Sequence, residues 1–570
     1  MSAPPVPAAT LRAERLAPFA FALIAAAPIA YMALQVARYS RDIAYWDDIE
    51  CVIGFLLRLD EGKGFWTDLA NFFAVTNEHR TVTSRLLFAT SYWLTGTVNF
   101  HVIGVIGNLF ILGFCGLCLW AAGTLARRVR LGVVLAFLFF QLGHFENFLW
   151  SGASIDHFQV VLLAGGALIL VARDSRRATL AGALLAALAT FTLVHGSLAW
   201  VVGAALLAHR RRWGWLAWWS GAAAAMLAVF FYGFHFNEGH RIVAVDLASL
   251  GRRAWYFLSL LGTPVAVGAA GAAPWLGLGL LGAYGYFGVR RAAAREPIAA
   301  ALAVFAIGSL ALVAYGRAEA NGGVVHSRYM VLAALAWAML LFLILETLAT
   351  ADRPYRWLWR ALPALVIFNV SANRAYALAA EGSVEIRDRA ATRFKQYGQD
   401  GKGIFNLHPI PGFAESILQR ADARGIYRLP RFSQLREFGT ARENARMITY
   451  LDEKLINDRA VTLGGWAMLP DVESRRGQIH VVLASPSSHL VFSTVTLQRP
   501  DVAKVYKEPR WRLCGFRFLA SRERLPAERL QVGLIVVHDG RAERHMTDQW
   551  IDLSVPGEHV PGVGPLAKED

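Results

Sequence analysis

Two adjacent carboxylates, Asp47 and Asp48, stand in the run Ala44-Tyr45-Trp46-Asp47-Asp48-Ile49-Glu50, just past the first long apolar segment, Leu16 to Ala37. A second cluster, Asn77-Glu78-His79-Arg80, precedes the next apolar run. Acids beside an imidazole and a guanidinium can share out a group transfer. A carboxylate takes the proton of an incoming hydroxyl, and cations stabilise a departing phosphate. Asp47 and Asp48 are the candidates for the base. Side chains of neighbouring residues diverge, so one of the pair faces the acceptor while the other binds hydroxyls or orders the loop. Asp48 equally suits the N-cap of a helix beginning at Ile49, and loops between membrane spans carry acids without any chemistry.

Glu78, His79 and Arg80 open a mostly apolar helix. His79 and Arg80 suit a phosphate and Glu78 a sugar hydroxyl, although an acidic first turn with an interfacial arginine explains them as well. A third polar set comprises His144, Glu146, Asn147, Asp156, His157 and Gln159, interleaved with Phe145, Phe148, Trp150 and Phe158. Aromatic faces stack on the C–H faces of a sugar ring while amides and carboxylates bond its hydroxyls. An interfacial aromatic belt accounts for the rings equally. His195, before Gly196, is either a packed interior histidine or a sugar ligand. Arg328 enters a span at its outer end, shortly after Gly322-Gly323. A guanidinium there is costly unless it snorkels or binds an anion, and a lipid phosphate would meet it bidentately. His235, Asn237, Glu238, His240 and Arg241 are rich in histidine but match no metal-ligand spacing. No cofactor is called for; a divalent metal is compatible with the acids but not indicated.

The elements that must position these groups are membrane helices. Of 570 residues 55% are hydrophobic and 17% charged, and the mean hydropathy of +0.39 excludes an ordinary soluble enzyme. The net charge of +15 sits largely in short clusters between apolar runs, where the positive-inside rule explains it and nucleic-acid binding is not implied. These clusters are Arg127-Arg128 with Arg130, Arg173 with Arg176-Arg177, Arg210 to Arg212, and Arg290-Arg291 with Arg295. With Arg12 and Arg15 inside, the Trp46–Arg80 loop lies outside. Short interfacial helices are expected over Ile49–Leu59 and Thr81–Leu94, and Arg252 to Ala270 reads as re-entrant or interfacial. About eleven spans result, and an odd number puts the C-terminal region on the side of the Asp47 loop. No cleavable leader is evident. Cys115 and Cys118 share a face within a span, and Cys51 and Cys514 are far apart, so neither a disulfide framework nor a zinc site is indicated.

The expected organisation is a transmembrane domain over residues 1–380 with a first outer loop at 38–100. A mixed helical linker region, 381–460, is punctuated by Pro409, Pro411 and Pro430, and a soluble β-sandwich follows at 461–570. Its strands alternate at period two, as in Ile479, Val481, Leu483; Phe516, Phe518; and Val532, Leu534, Val536, with turns at Ser485 to Ser488 and Asp539-Gly540.

Acids in a large first outer loop, many spans and a C-terminal domain together resemble the GT-C superfamily of integral-membrane glycosyltransferases. Trp46-Asp47-Asp48, Asn77-Glu78-His79-Arg80, Glu146-Asn147, Gly196 to Trp200 and Ser327-Arg328-Tyr329 are similar to a group of bacterial multi-spanning proteins described as glycosyltransferases, over roughly residues 20 to 350. The resemblance implies a GT-C-like polytopic α-helical fold, a polyprenyl-phosphate sugar donor, a glycan or glycolipid acceptor, inversion at the anomeric centre and an Asp base. It further implies contact with membrane lipid, no nucleic acid, and a bacterial inner-membrane location with a periplasmic C-terminal domain. Where that group carries a polar amide before Gly196, this chain has His195. Gly465-Trp466-Ala467, Arg499 to Ala503 and Gly515-Phe516 resemble a β-sandwich found beside bacterial sugar-handling domains, which implies carbohydrate contact. A polysaccharide polymerase or ligase is close in mechanism. A lipid-linked sugar transporter or flippase would instead place ionisable groups at the bilayer midplane in matched halves.

Overall fold

The computed structural model describes residues 8–76, 78–234, 246–287, 296–397, 407–408, 411–429, 441–457, 460–474, 477–522, 525–538 and 541–555. Asn77, the His235 to Arg241 group, the Arg290-Arg291-Arg295 cluster, Pro409, Pro430 and the Asp539-Gly540 turn lie outside these. The chain divides into two compact units, Met1–Glu385 with Ser416–Arg428, and Ile386–Glu415 with Leu429–Asp570.

The first unit is helical. Among the described residues six helices are long and apolar enough to cross a membrane: Leu16–Tyr39, Phe100–Ala121, Ser151–Val171, Trp213–Phe231, Pro297–Arg317 and Ser327–Leu348. This is the build of a membrane protein. The remaining crossings of the expected eleven fall largely on shorter helices, such as Leu125–Phe139, Arg176–Thr190 and Ala273–Phe287 at 15 residues each. These are below the ~20 residues that span a hydrocarbon core. The expected final span lies inside Arg356–Tyr397, a single helix of 42 residues. Ser151–Val171 is 78% buried and Ser327–Leu348 67%, so these two form the interior. Leu16–Tyr39 at 22% and Trp213–Phe231 at 11% turn apolar side chains outward, as lipid-facing helices do.

Helix ends follow local chemistry. Asn99 caps Phe100–Ala121 by accepting from the Val102 N–H at 2.9 Å. Asp246 and Ser249 form a capping box at the start of Leu247–Ala266, the segment expected to be re-entrant or interfacial. The short helix expected over 49–59 begins with a π-helical turn, Asp48–Gly54, and continues as Phe55–Asp60. The one expected over 81–94 is Val82–Thr95, closed by Gly96 in the left-handed region. Tyr427, fully buried, ties down the entry to the first of these by accepting from the Ala44 N–H and donating to the Asp42 carbonyl, both at 3.0 Å.

Among its described residues the second unit carries nine strands in two sheets. One runs β1 (Arg442–Glu443), β9 (Arg541–Asp552), β8 (Arg529–His538), β4 (Gln478–Ala484), β5 (His489–Ser493). The other runs β2 (Ile448–Ile456), β3 (Ala460–Met468), β7 (Gly515–Ser521), β6 (Val495–Leu497). The alternating residues read from the sequence, Ile479, Val481 and Leu483, Phe516 and Phe518, Val532, Leu534 and Val536, share one core fed by both sheets. A Ser485 N–H to Ser488 carbonyl bond of 2.7 Å closes the β4–β5 hairpin. The first strand of this unit among the described residues, Arg442–Glu443, lies ahead of position 461.

Candidate functional site

A cavity of about 560 Å³ opens in the helical unit. Irregular turns deliver much of its polar lining. Asp48 sits in the π-helical turn Asp48–Gly54, and Asp156 and His157 in a second one, Ser154–Phe158. His195 lies in the 3-10 turn Val194–Ser197 and Arg328 in another, Ser327–Tyr329. Such insertions re-aim side chains that a regular helix would hold in register, and they recur at functional sites. Two non-glycine residues beside the acids, Trp46 at φ 49° and Glu78 at φ 61°, adopt the costly left-handed region.

The structure separates the two adjacent acids. Asp48 is 1% exposed, whereas Asp47 is exposed, and both line the cavity. One oxygen of Asp48, Oδ2, accepts from Trp150 Nε1 at 2.9 Å, the Tyr45 N–H at 3.2 Å and Ser151 Oγ at 3.3 Å. The Asp48 cap is thereby corrected. Asp47 occupies the N-cap position without a side-chain cap bond, and Asp48 is the first residue of the turn, its carboxylate drawn back to Tyr45 and across to Trp150. Burial pushes the Asp48 carboxyl up to about 8; the Tyr45 and Trp150 donors pull it down, and the neighbouring Asp47 and Asp156 charges add to the rise. Gly152 makes room for it, since a Cβ there would lie 2.3 Å from Asp48 Oδ1.

Of the other expected residues, Glu78, His79, His195 and Arg328 line the cavity. Glu78 pairs with Arg317 at 3.3 Å. His79 Nδ1 accepts from the Val194 N–H at 3.4 Å. His195 stacks on His157 with ring centroids 6.3 Å apart, and His195 Nε2 and His157 Nδ1 are buried without a hydrogen-bond partner among the described residues. Arg328 lies over the Trp150 ring at 5.5 Å, and the carboxylates of Glu146 and Asp47 act on its guanidinium.

Arg80, Glu146 and Asn147 are not among the lining residues. The Arg80 guanidinium donates to the carbonyls of Phe73, Phe230 and Tyr232, the second at 2.7 Å, and so holds backbone in place. Glu146 Oε2 accepts from Ser327 Oγ and from the Arg328 N–H, each at 2.9 Å. Asn147 Nδ2 donates to the Arg328 carbonyl at 2.9 Å. Both therefore position the turn that carries Arg328.

Sequence reasoning passed over Ser84, Arg85 and Arg253 and gave Asp156 no individual role, yet all four line the cavity. Ser84 donates to Asp156. Arg85, 1% exposed, gathers the loop before it by donating to the carbonyls of Asn71, Phe72 and Ala74 and to Thr76 Oγ1. The available signal was the rule that an ionisable residue within an apolar helix has a reason to be there. Among the described residues no three His, Cys, Asp or Glu side chains converge as a metal-ligand set. No family model, curated protein or solved structure matches the chain.

Proposed function

We propose that the protein is an inverting membrane glycosyltransferase of GT-C type, which moves a sugar from a polyprenyl-phosphate donor to a hydroxyl of an envelope glycan or glycolipid. One observation carries this reading. A single cavity at the ends of membrane helices is lined by both an exposed carboxylate, Asp47, and a guanidinium, Arg328. Asp47 is the general base and Arg328 stabilises the leaving phosphate. The acceptor hydroxyl gives its proton to Asp47 as its oxygen bonds to the anomeric carbon. The bond from that carbon to the phosphate oxygen breaks, and the phosphate leaves with the electron pair. A single displacement of this kind inverts the centre.

Asp48 serves a different end. Enclosed and bonded by three donors on one oxygen, it fixes the turn that presents Asp47. The polar groups His157 and His195 suit sugar hydroxyls. Apolar side chains of two candidate spans, Phe231 on one and Leu312 and Val313 on the other, also line the cavity and suit a lipid chain. In this reading the protein sits in the bacterial inner membrane with about eleven crossings, and its C-terminal β unit is periplasmic.

Purified full-length protein in nanodiscs, given polyprenyl-phosphate sugars carrying a labelled sugar, tests the proposal. The labelled product should form with inverted anomeric configuration, read by NMR. Retention of configuration would exclude the single displacement, and no transfer from any such donor would exclude the donor class.

A further inference from the structure

Arg253 lies in the helix Leu247–Ala266, lines the same cavity and is 6% exposed. Its Nε and Nη1 are buried and have no hydrogen-bond partner among the described residues. The guanidinium rests on the Tyr315 ring, 4.7 Å from the centroid. Of the three other arginines that line the cavity, Arg85 donates to backbone carbonyls and to Thr76, and the other two each have an acid at hand. Arg317 pairs with Glu78 at 3.3 Å, and Arg328 has Glu146 and Asp47. Glu319, also in the wall, is taken by Arg252 at 3.0 Å. Arg253 forms no ion pair among the described residues. A guanidinium does not shed its proton, so an enclosed one with vacant donors calls for an anion.

We infer that Arg253 is an anion-binding subsite for a phosphoryl group carried on an apolar chain. The planar fork of donors matches phosphoryl oxygens. The adjoining wall, Leu312, Val313 and Tyr315, belongs to the candidate span Pro297–Arg317 and is apolar or aromatic. A charged head against the fork and a hydrocarbon body along that wall describe an amphiphile, not a free anion or a neutral sugar. The inference rests on the transferase reading only in naming the chain as polyprenyl. It adds that Arg253 holds the lipid phosphate whether or not a sugar is attached, and that Arg328, beside the acid pair, meets the same phosphate as its bond to the sugar breaks.

Binding to the full-length protein in zwitterionic nanodiscs, followed by thermal melting, tests this with three probes: polyprenyl monophosphate, polyprenol and inorganic phosphate. Wild type should bind the monophosphate at least about tenfold more tightly than the alcohol, a gap of about 1.4 kcal/mol. Arg253→Gln should erase that difference, and Arg253→Lys should keep part of it. Phosphatidylglycerol that competes fully with the monophosphate would identify a membrane headgroup as the source of the same chemistry. Equal binding of alcohol and monophosphate by wild type, which needs no variant to fold, would overturn the subsite. So would inorganic phosphate binding as tightly as the lipid, or an Arg253→Gln protein that keeps the preference. Arg253-dependent binding without sugar transfer in the same preparation would uphold the subsite and remove the transferase reading.

Discussion

Trp150 Nε1 donates to Asp48 Oδ2 at 2.9 Å, and so joins the loop after the first span to the head of the helix Ser151–Val171. A buried carboxyl in this setting leaves a mark on stability. Its ordinary value is 3.8, and in the folded protein it stands at about 8 because burial disfavours the charge. The folded state then holds a proton that the unfolded state has released. Stability from this group is complete below about 4, declines as pH rises, and is lost once pH passes about 8. Melting in detergent should therefore fall across that window in wild type. Asp48→Asn, which cannot titrate, should flatten the decline. An identical pH profile in the two proteins would show that Asp48 is not held as described.

Trp150→Phe should act through the same contact. It preserves the ring against Tyr45, whose centroid lies 5.2 Å away, but removes the N–H from Asp48. A buried acceptor losing one of its donors costs roughly 1–3 kcal/mol. The melting temperature should drop, and more so at pH 9, where the carboxylate is charged, than at pH 5. A drop independent of pH would mean that Trp150 serves packing alone.

Gly152→Ala adds one methyl and removes no functional group. Its Cβ would fall 2.3 Å from Asp48 Oδ1 and 3.3 Å from Trp150 Nε1, so the carboxylate must move. Turnover should fall by about tenfold or more, since small misplacements near a reacting centre are costly, while the protein still inserts and melts cooperatively. Wild-type turnover in this variant would show that the placement of Asp48 does not matter to the chemistry.

Glu146 and Arg328 form a second pair of linked tests. Glu146→Gln retains an oxygen to accept from Ser327 Oγ and the Arg328 N–H, whereas Glu146→Ala retains neither bond. Alanine should therefore weaken donor binding more than glutamine does. Arg328→Lys keeps the charge but loses the fork, and donor affinity should drop clearly, with a larger loss for alanine. A fully active lysine variant would reduce Arg328 to a membrane anchor.

Much of the fold was legible because burial leaves a period in the sequence. The six long helices are continuous apolar runs, and the β unit shows its inward residues at every second position, as in Val532, Leu534 and Val536. The crossing count was less legible, because helices such as Leu125–Phe139 end short of a full span. For the site, the acid pair, His79, His195 and Arg328 stood out as polar residues beside apolar runs. What could not be read was which way each one turns. Arg80 looked like a ligand and instead binds three carbonyls, two of them about 150 residues away. Arg253 gave no signal of its own inside a segment read as re-entrant or interfacial, yet it lines a cavity built by segments far along the chain. The division between Asp47 and Asp48 depends on Trp150 and Ser151, about a hundred residues on, which no local pattern reveals.

The most direct measurement is sugar transfer at neutral pH by purified Asp47→Asn and Asp48→Asn proteins, each at matched level and fold. If Asp47 is the base and Asp48 the support beneath it, Asp47→Asn lowers turnover by about two to four orders of magnitude with donor binding retained. Asp48→Asn, close in shape to a protonated carboxyl, then loses far less. Wild-type turnover by the Asp47→Asn protein would contradict the mechanism outright.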